Sequence, residues 1–161
     1  MAKRRHVFLS FHHGDVGKVR GLNLLSRAPN VDLDFSGRHL INPVKSEDPA
    51  YILRSIKEQI TGSSVTLIAA GDGTAQSDWI AEEIRLSNEK DPPNGFVVVK
   101  LTPDADIPDG VPDYAEVVEW NGPEDLVAIA DAIEHAAAAR EKIPAMQAAT
   151  PGLGSSCGRA A

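Results

Sequence analysis

Short apolar runs alternate with amphipathic stretches along this chain, and this alternation constrains the fold more than any other feature. Apolar runs of roughly four to eight residues are typical of buried strands, and longer periodic stretches are typical of helices. Strands that alternate with helices form a parallel sheet flanked by helices. The pattern predicts an α/β fold, a flavodoxin-like three-layer sandwich with a five-stranded parallel sheet in the order 2-1-3-4-5. The predicted strands are 6–11, 31–35, 64–70, 95–101 and 116–120.

Residue types within these segments indicate their positions. Asp32 and Asp34 alternate with apolar neighbours, which indicates a strand at an edge of the sheet. The run 95–101 is nearly all apolar and is therefore predicted to be central. The loop 36–47 is long enough to suggest a function. Helices are predicted after Asp15, from Pro49, through Trp79 and from Pro123.

The 161 residues are enough for one domain with a real core. We expect this domain to span 1–143. Residues 144–161 are rich in Ala, Gly, Ser and Pro without periodicity, which predicts a disordered tail.

Charge and hydropathy exclude two kinds of partner. The net charge of −7 argues against nucleic-acid binding, because neutralising phosphates requires a basic face. No stretch approaches the ~18 apolar residues of a membrane helix, so no membrane partner is expected. The single Cys157 cannot form an internal disulfide, which fits a reducing cytoplasm.

A glutamate lies on the apolar face of the helix predicted around Trp79. At about 100° per residue, Glu83 falls near the centre of the apolar arc. A carboxylate that faces a core costs free energy unless it is paired or has a function. Glu83 is therefore either a paired structural residue or part of a pocket. The apolar arc itself consists of Trp79, Ile80, Ile84 and Leu86.

The fold predicts where a ligand would bind. In flavodoxin-like sheets, ligands bind beyond the carboxyl ends of strands 1 and 3, where the winding reverses. These ends correspond to residues 10–13 and 71–77. Since the helix with Glu83 follows the second of these segments, the fold and the helical projection both place Glu83 near the predicted crevice.

Residue types in the two loops exclude several ligands that this fold often binds. A phospho-receiver needs an acidic pair after strand 1, where Phe11 and His12 stand, and a flavin-phosphate loop would be rich in hydroxyl groups. The segment 71–76 lacks the third glycine of a dinucleotide fingerprint. Gly71 and Gly73 are therefore interpreted as turn residues.

Three further side chains have alternative roles. His12 and His13 are adjacent, which is poor spacing for two ligands of one metal ion, and we expect no metal. A hydrogen bond to a phosphate or base of a ligand is the favoured role for either histidine. For Trp79, a core anchor is favoured over a stacking platform.

Two motifs resemble those of Toll/interleukin-1 receptor (TIR) domains. Val7-Phe8-Leu9-Ser10-Phe11 resembles the first-strand signature of this superfamily. Ser77-Asp78-Trp79-Ile80-Ala81-Glu82-Glu83-Ile84 resembles its Ser-x-Trp-x-x-x-Glu-aliphatic motif. The similarity covers about 6–140 and is greatest to the bacterial TIR-like branch typified by the NAD-processing subunit of the Thoeris anti-phage system.

Members of this branch open with a segment similar to Ser10-Phe11-His12, and many carry an Asp after strand 2, for which Asp34 is the nearest match. Two departures are present. Ile80 replaces a cysteine that is frequent after the motif tryptophan, and the loop 36–47 does not match receptor TIR domains. The second departure argues against transferring the adaptor-binding residues of the receptors.

The resemblance implies an enzyme that cleaves the bond between nicotinamide and ribose in NAD, with NAD as substrate and no cofactor. It implies Glu83 as the catalytic residue. The substrate-binding residues implied with it are Ser10, Phe11, His12, Asp34 and Ser77, with Phe11 able to stack on a ring.

The product implied is ADP-ribose or a cyclic ADP-ribose isomer that signals to an effector in anti-phage defence. Self-association into a homo-oligomer is also expected. The alternatives are a non-enzymatic module that binds proteins and a sensor that binds a nucleotide without cleaving it.

Overall fold

The computed structural model describes residues 5–15, 17, 19, 33–36 and 49–140, and the statements below concern these residues. They form an α/β fold around one sheet, in which every neighbouring pair of strands is parallel. The predicted α/β class with a parallel sheet is therefore confirmed, and the architecture is consistent with a flavodoxin-like fold. The five strands are β1 (Arg5–Phe11), β2 (Leu33–Ser36), β3 (Val65–Ala70), β4 (Gly95–Lys100) and β5 (Glu116–Glu119).

The strands lie in the order β2-β1-β3-β4-β5. The alternation around Asp34 correctly indicated an edge position, since β2 is the outermost strand on its side. The apolar strand β4 lies between β3 and β5, and its first five residues are buried.

Three helices cover the two faces: α1 (Pro49–Thr61), α2 (Asp78–Glu89) and α3 (Leu126–Arg140). Pro123 was predicted to open the last helix, but it begins a short 3-10 helix, Pro123–Asp125, directly before α3. Two further 3-10 helices are His13–Asp15 and Thr74–Gln76. Most of the helix predicted after Asp15, the predicted loop 36–47 beyond Ser36, and the predicted tail 144–161 lie outside the described residues.

Side chains alternate between the two faces of the sheet, as strand geometry requires. On β1, Val7, Leu9 and Phe11 belong to a core cluster that contains Ile129 and Ile133 of α3. Phe8 faces the opposite side and packs with Ile56 and Ile60 of α1. Burying one such aliphatic or aromatic side chain stabilises the fold by about 1.5–3 kcal/mol.

The core on the α2 side contains the apolar arc of that helix. Ile80 and Ile84 pack against Ile68 of β3 and Phe96 of β4. This face of the sheet also carries Ser10, which follows Phe8 by two positions on β1. The same face therefore holds both the apolar core under α2 and the polar residues of the candidate site.

Glycine allows one close approach between a helix and the sheet. A Cβ atom added to Gly95 at the start of β4 would overlap the carbonyl oxygen of Ala136 in α3. Only a residue without a side chain lets α3 pack this closely on the central part of the sheet. None of the described helices is both long enough and apolar enough to cross a membrane.

Candidate active site

The helix that carries Glu83 begins at the carboxyl edge of the sheet. Ser77 is its N-cap: the Ser77 Oγ accepts a hydrogen bond from the Ile80 backbone N–H at 3.4 Å. Asp78 adds an acidic side chain in the first turn, where the helix dipole favours negative charge. These two residues fix where α2 starts and thus which residues face the sheet.

Glu83 is buried completely between α2 and the sheet. Ser10 Oγ of β1 donates a hydrogen bond to Glu83 Oε2. The other carboxyl oxygen, Oε1, is also buried and has no hydrogen-bond partner within the described part of the chain. A buried polar atom without a partner costs about 1–3 kcal/mol, so it needs an explanation.

Burial changes the ionisation of Glu83. Desolvation raises the pKa of this carboxyl to about 8, although the hydrogen bond from Ser10 acts in the opposite direction. In this structure the carboxyl is therefore mainly protonated at neutral pH. A neutral acid removes most of the cost that a buried carboxylate would carry.

A buried polar network holds α2 one turn after Glu83. Ser87 Oγ donates to the backbone carbonyl of Glu83 at 2.8 Å and lies 2.7 Å from Thr66 Oγ1 of β3. Asn94 Nδ2 also donates to Thr66 Oγ1, at 3.1 Å. These bonds fix the height of α2 over β3, and with it the position of Glu83 relative to Ser10.

His12 directly follows β1 at the carboxyl edge of the sheet and is partly exposed. Its Nδ1 accepts a hydrogen bond from the Gly14 N–H at 3.2 Å, so the neutral ring carries its proton on Nε2. A Cβ atom added to Gly73 would lie 3.0 Å from the His12 ring. The loop after β3 therefore packs directly against the loop after β1.

Asp15 is a second buried acid at this edge, which the sequence indicated only as a helix cap. Its carboxylate approaches Gly71 so closely that a Cβ atom there would overlap it. Asp15 Oδ2 has no hydrogen-bond partner among the described residues. The sequence feature that could have indicated this contact is Gly71, which lies in the loop after β3, next to the loop after β1 that carries Asp15.

The two loop glycines serve close packing rather than an unusual backbone conformation. Neither Gly71 nor Gly73 has a positive φ angle, whereas Gly110 does, at 91°. Thr74 Oγ1 closes the turn by accepting from the Gly71 N–H at 2.8 Å. The interpretation as turn residues is therefore incomplete, because the space taken by Asp15 and His12 requires glycine.

The predicted substrate-binding residues do not all lie on one side of the sheet. The structure brings Ser10 to Glu83, but Phe11 is 4% exposed and packs in the core on the α3 face. Side-chain alternation along β1 separates these neighbours, so the expected stacking by Phe11 at this site is wrong. Asp34 lies in β2 with its backbone beside His6.

Trp79 is not a core anchor. Its side chain is 42% exposed in the first turn of α2. The prediction failed because the apolar arc extends into the first turn of α2, where the described residues leave the ring partly exposed. Trp79 precedes Glu83 by four residues, so both lie on the same side of the helix. Among the described residues, no group of three His, Cys, Asp or Glu side chains could hold a metal ion.

Comparison with protein families identifies the kind of domain. The family model of the Thoeris protein ThsB, TIR-like domain, matches residues 8–106, which is more than half of the chain. This match includes Ser10, His12, Trp79 and Glu83. No curated protein matches the chain. The matched range thus contains both residues of the buried contact, Ser10 and Glu83. The chain belongs to the family of ThsB TIR-like domains.

Proposed function

We propose that this protein cleaves NAD between nicotinamide and ribose, with Glu83 as the catalytic residue. The supporting observation is the carboxyl group of Glu83, which has one oxygen held by Ser10 and the other buried without a partner. The membership of the protein in the family of Thoeris ThsB TIR-like domains supports a role in anti-phage defence. NAD is the substrate, and no further cofactor is needed.

The chemistry suits a desolvated carboxylate. Breaking the bond to nicotinamide creates an oxocarbenium-like ribose, and a nearby carboxylate stabilises the developing positive charge. The free Oε1 of Glu83 would accept hydrogen bonds from the ribose hydroxyls. Because the nicotinamide ring of NAD is itself cationic, its arrival favours the ionised form of Glu83 and lowers the raised pKa.

Access to Glu83 requires a structural change. Glu83 has no exposed surface, so a ribose reaches it only when the residues around it move. Self-association is the trigger that we propose, since a homo-oligomer could stabilise an open arrangement of the crevice. An isolated subunit would then have low activity.

Other substrate contacts are assigned to the same edge of the sheet. We propose that His12 donates its Nε2–H to a phosphate or base, since its Nδ1 already accepts from Gly14, and that the exposed ring of Trp79 stacks on a ring of the substrate. Ser77 is assigned as a further contact there. Asp34 is assigned as well, but from β2, where its backbone lies beside His6 near the amino end of β1. Phe11 is left out of this group because its ring is in the core.

Two products are compatible with this chemistry. Water attack on the ribose gives ADP-ribose, and attack by a group of the ADP-ribose itself gives a cyclic isomer. We propose that the product is a diffusible signal in the cytoplasm for a separate effector. Incubation with NAD, followed by chromatography for nicotinamide and mass spectrometry of the second product, tests both steps.

A non-enzymatic domain is the second candidate, and the full burial and raised pKa of Glu83 favour it. In that case the carboxyl is a neutral structural acid. The absence of nicotinamide release from both the isolated subunit and a chemically cross-linked oligomer would support this candidate. Saturable NAD binding without product would identify a nucleotide sensor.

A further inference from the structure

Polar side-chain atoms that are buried without a hydrogen-bond partner gather at one edge of the sheet. Among the described residues these atoms are Asp15 Oδ2, Glu83 Oε1 and Thr102 Oγ1. Asp15 follows β1 and Thr102 follows β4, so both lie at the carboxyl edge, and Glu83 contacts β1 one residue before its end. Proteins pair almost all of their buried polar groups, so each exception needs an explanation. The proposed chemistry uses Glu83 but not Asp15.

The segment that leaves β1 faces the segment that leaves β3. Asp15 lies against Gly71, since a Cβ atom there would overlap the carboxylate. His12 lies against Gly73, two positions further along the second segment, where a Cβ atom would lie 3.0 Å from the His12 ring. The loop after β3 therefore covers both side chains, and only glycine at these two positions leaves room for them.

The backbone keeps the three polar residues of the first segment in a row. The Asp15 N–H donates to the carbonyl oxygen of His12 at 2.9 Å, so a single turn joins these two residues. Ser10 lies two positions before His12 and bonds to Glu83, which lies beyond Gly73 in the second segment. Both segments thus present the same order, with Asp15 first, His12 next and the buried contact of Glu83 last.

NAD has groups that match this row in the same order. Its nicotinamide ribose is joined through two phosphates to a second ribose, which carries adenine. In the proposed function, Glu83 accepts hydrogen bonds from the first ribose, and a phosphate is one of the groups to which His12 donates. Asp15 is the next position in the row and corresponds to the second ribose.

A carboxylate suits a ribose better than it suits a phosphate. Its oxygens only accept hydrogen bonds, and each ribose hydroxyl can donate one. Phosphates are excluded as partners of Asp15, because like charges repel each other. In many dinucleotide sites an acid accepts a hydrogen bond from the ribose 2′-hydroxyl in this way. A phosphate at the same 2′ position, as in NADP, would bring negative charge against the acid.

We propose, resting on the proposed function for the identity of the ligand, that Asp15 binds the 2′-hydroxyl of the adenosine ribose and thereby selects NAD over NADP. Asp15 is buried, as Glu83 is, so the loop after β3 moves before the ribose enters. This loop leads directly into α2, which carries Glu83. One movement of the segment therefore exposes both acids.

Asp15→Asn and Asp72→Asn form a matched pair of variants. Each removes one negative charge at the same edge of the sheet. Asp72 lies between Gly71 and Gly73, but its side chain is exposed, so its loss changes the general electrostatic field and not the buried contact. Asn has nearly the shape of Asp, and circular dichroism checks the folding of each variant.

The probes are ADP-ribose, its adenosine 2′-phosphate and its adenosine 2′-deoxy form. Their binding is measured by calorimetry on the full chain, both as prepared and after cross-linking into an oligomer. The wild type should bind ADP-ribose at least about tenfold more tightly than either of the other two probes. Asp15→Asn should reduce the advantage over the 2′-phosphate to within about threefold, and Asp72→Asn should keep it.

None of the probes contains nicotinamide, so the result does not depend on cleavage. Nicotinamide release from NAD, measured on the same proteins, separates the role of Asp15 from the proposed reaction. Selective binding without release would contradict the reaction and support the role of Asp15. Release from NAD together with equal binding of the three probes by the wild type would do the reverse.

Two further results would overturn the role of Asp15. One is that no probe binds to either form of the wild type, and the other is that the two Asn variants change the preference equally. A contact to adenine instead of ribose would also appear as equal binding of the three probes. The probe series on the wild type alone supports or refutes the contact even if Asp15→Asn does not fold.

Discussion

Ser10 Oγ donates a hydrogen bond to Glu83 Oε2 across the interface between β1 and α2, in the interior of the protein. The bond leaves Glu83 Oε1 as a buried oxygen without a hydrogen-bond partner in the described residues. This arrangement positions a carboxyl group by one oxygen and keeps the other available. It is the feature on which the proposed chemistry depends.

The stability of the protein should depend on the protonation of Glu83. Burial raises its pKa from 4.5 to about 8, so the folded state binds an extra proton between these values. This contribution to the free energy of unfolding is complete below pH 4.5 and is lost as the pH rises through about 8. Glu83→Gln should remove this dependence.

Chemical denaturation of wild type and Glu83→Gln at several pH values measures the effect. The free energy of unfolding of Glu83→Gln minus that of the wild type should rise by several kcal/mol from about pH 5 to about pH 9, because only the wild type loses stability as Glu83 ionises. The lowered pKa of Lys90 acts in the opposite direction at high pH, but it is common to both proteins and cancels in the difference. A constant difference would contradict the raised pKa.

The hydrogen bond from Ser10 should control the pH dependence of activity. If ionised Glu83 is required, kcat/KM for NAD rises with pH and levels off above about 8, the pKa of the free enzyme. Ser10→Ala removes a bond that lowers this pKa, so the rise should shift to higher pH. A profile that falls above this pKa would instead identify the protonated carboxyl as the active form.

The contact between Thr66 and Ser87 should matter for the placement of α2. Thr66→Val keeps the shape of the side chain but removes the oxygen that lies 2.7 Å from Ser87 Oγ and accepts from Asn94. We expect a loss of about 1–3 kcal/mol in the free energy of unfolding. Thr66→Ser retains the hydroxyl group and should lose less, as measured by urea denaturation. Equal losses would point to packing rather than hydrogen bonding.

Gly71 should tolerate no side chain. Gly71→Ala places a methyl group on the Asp15 carboxylate, and overpacking of this kind costs about 1–3 kcal/mol. Gly62→Ala is the matched control, because nothing lies within 3.6 Å of its new Cβ atom. Thermal unfolding of the two variants should separate them clearly. If both unfold at the wild-type temperature, Asp15 does not occupy the position described.

The sequence predicted those features that depend on repeated patterns. Apolar runs located all of the described strands, and the helical projection correctly placed Glu83 on the buried side of α2. The failures concern the points where a pattern stops. Trp79 continues the apolar arc into the first turn of α2 and is exposed. Phe11 continues the first-strand motif, but its side chain faces the α3 side of the sheet, away from Glu83.

Contacts between distant loops could not be predicted from local patterns. Asp15 and Gly71 are far apart in the sequence and meet only because β1 and β3 are neighbours in the sheet. The partner of Glu83 has the same origin, since 73 residues separate it from Ser10. The family match covers both segments, and the geometry shows that the fold brings them into contact.

Release of nicotinamide from NAD by wild type, Glu83→Gln and Glu82→Gln tests the central claim most directly. Glu82 is the matched control, because it is the neighbouring glutamate and pairs with Arg85 away from the site. Each protein is assayed both as prepared and after cross-linking into an oligomer, with folding checked by circular dichroism. We predict release by wild type and Glu82→Gln, and a loss of at least about a hundredfold in Glu83→Gln. Equal release by all three folded proteins would contradict the assignment of Glu83.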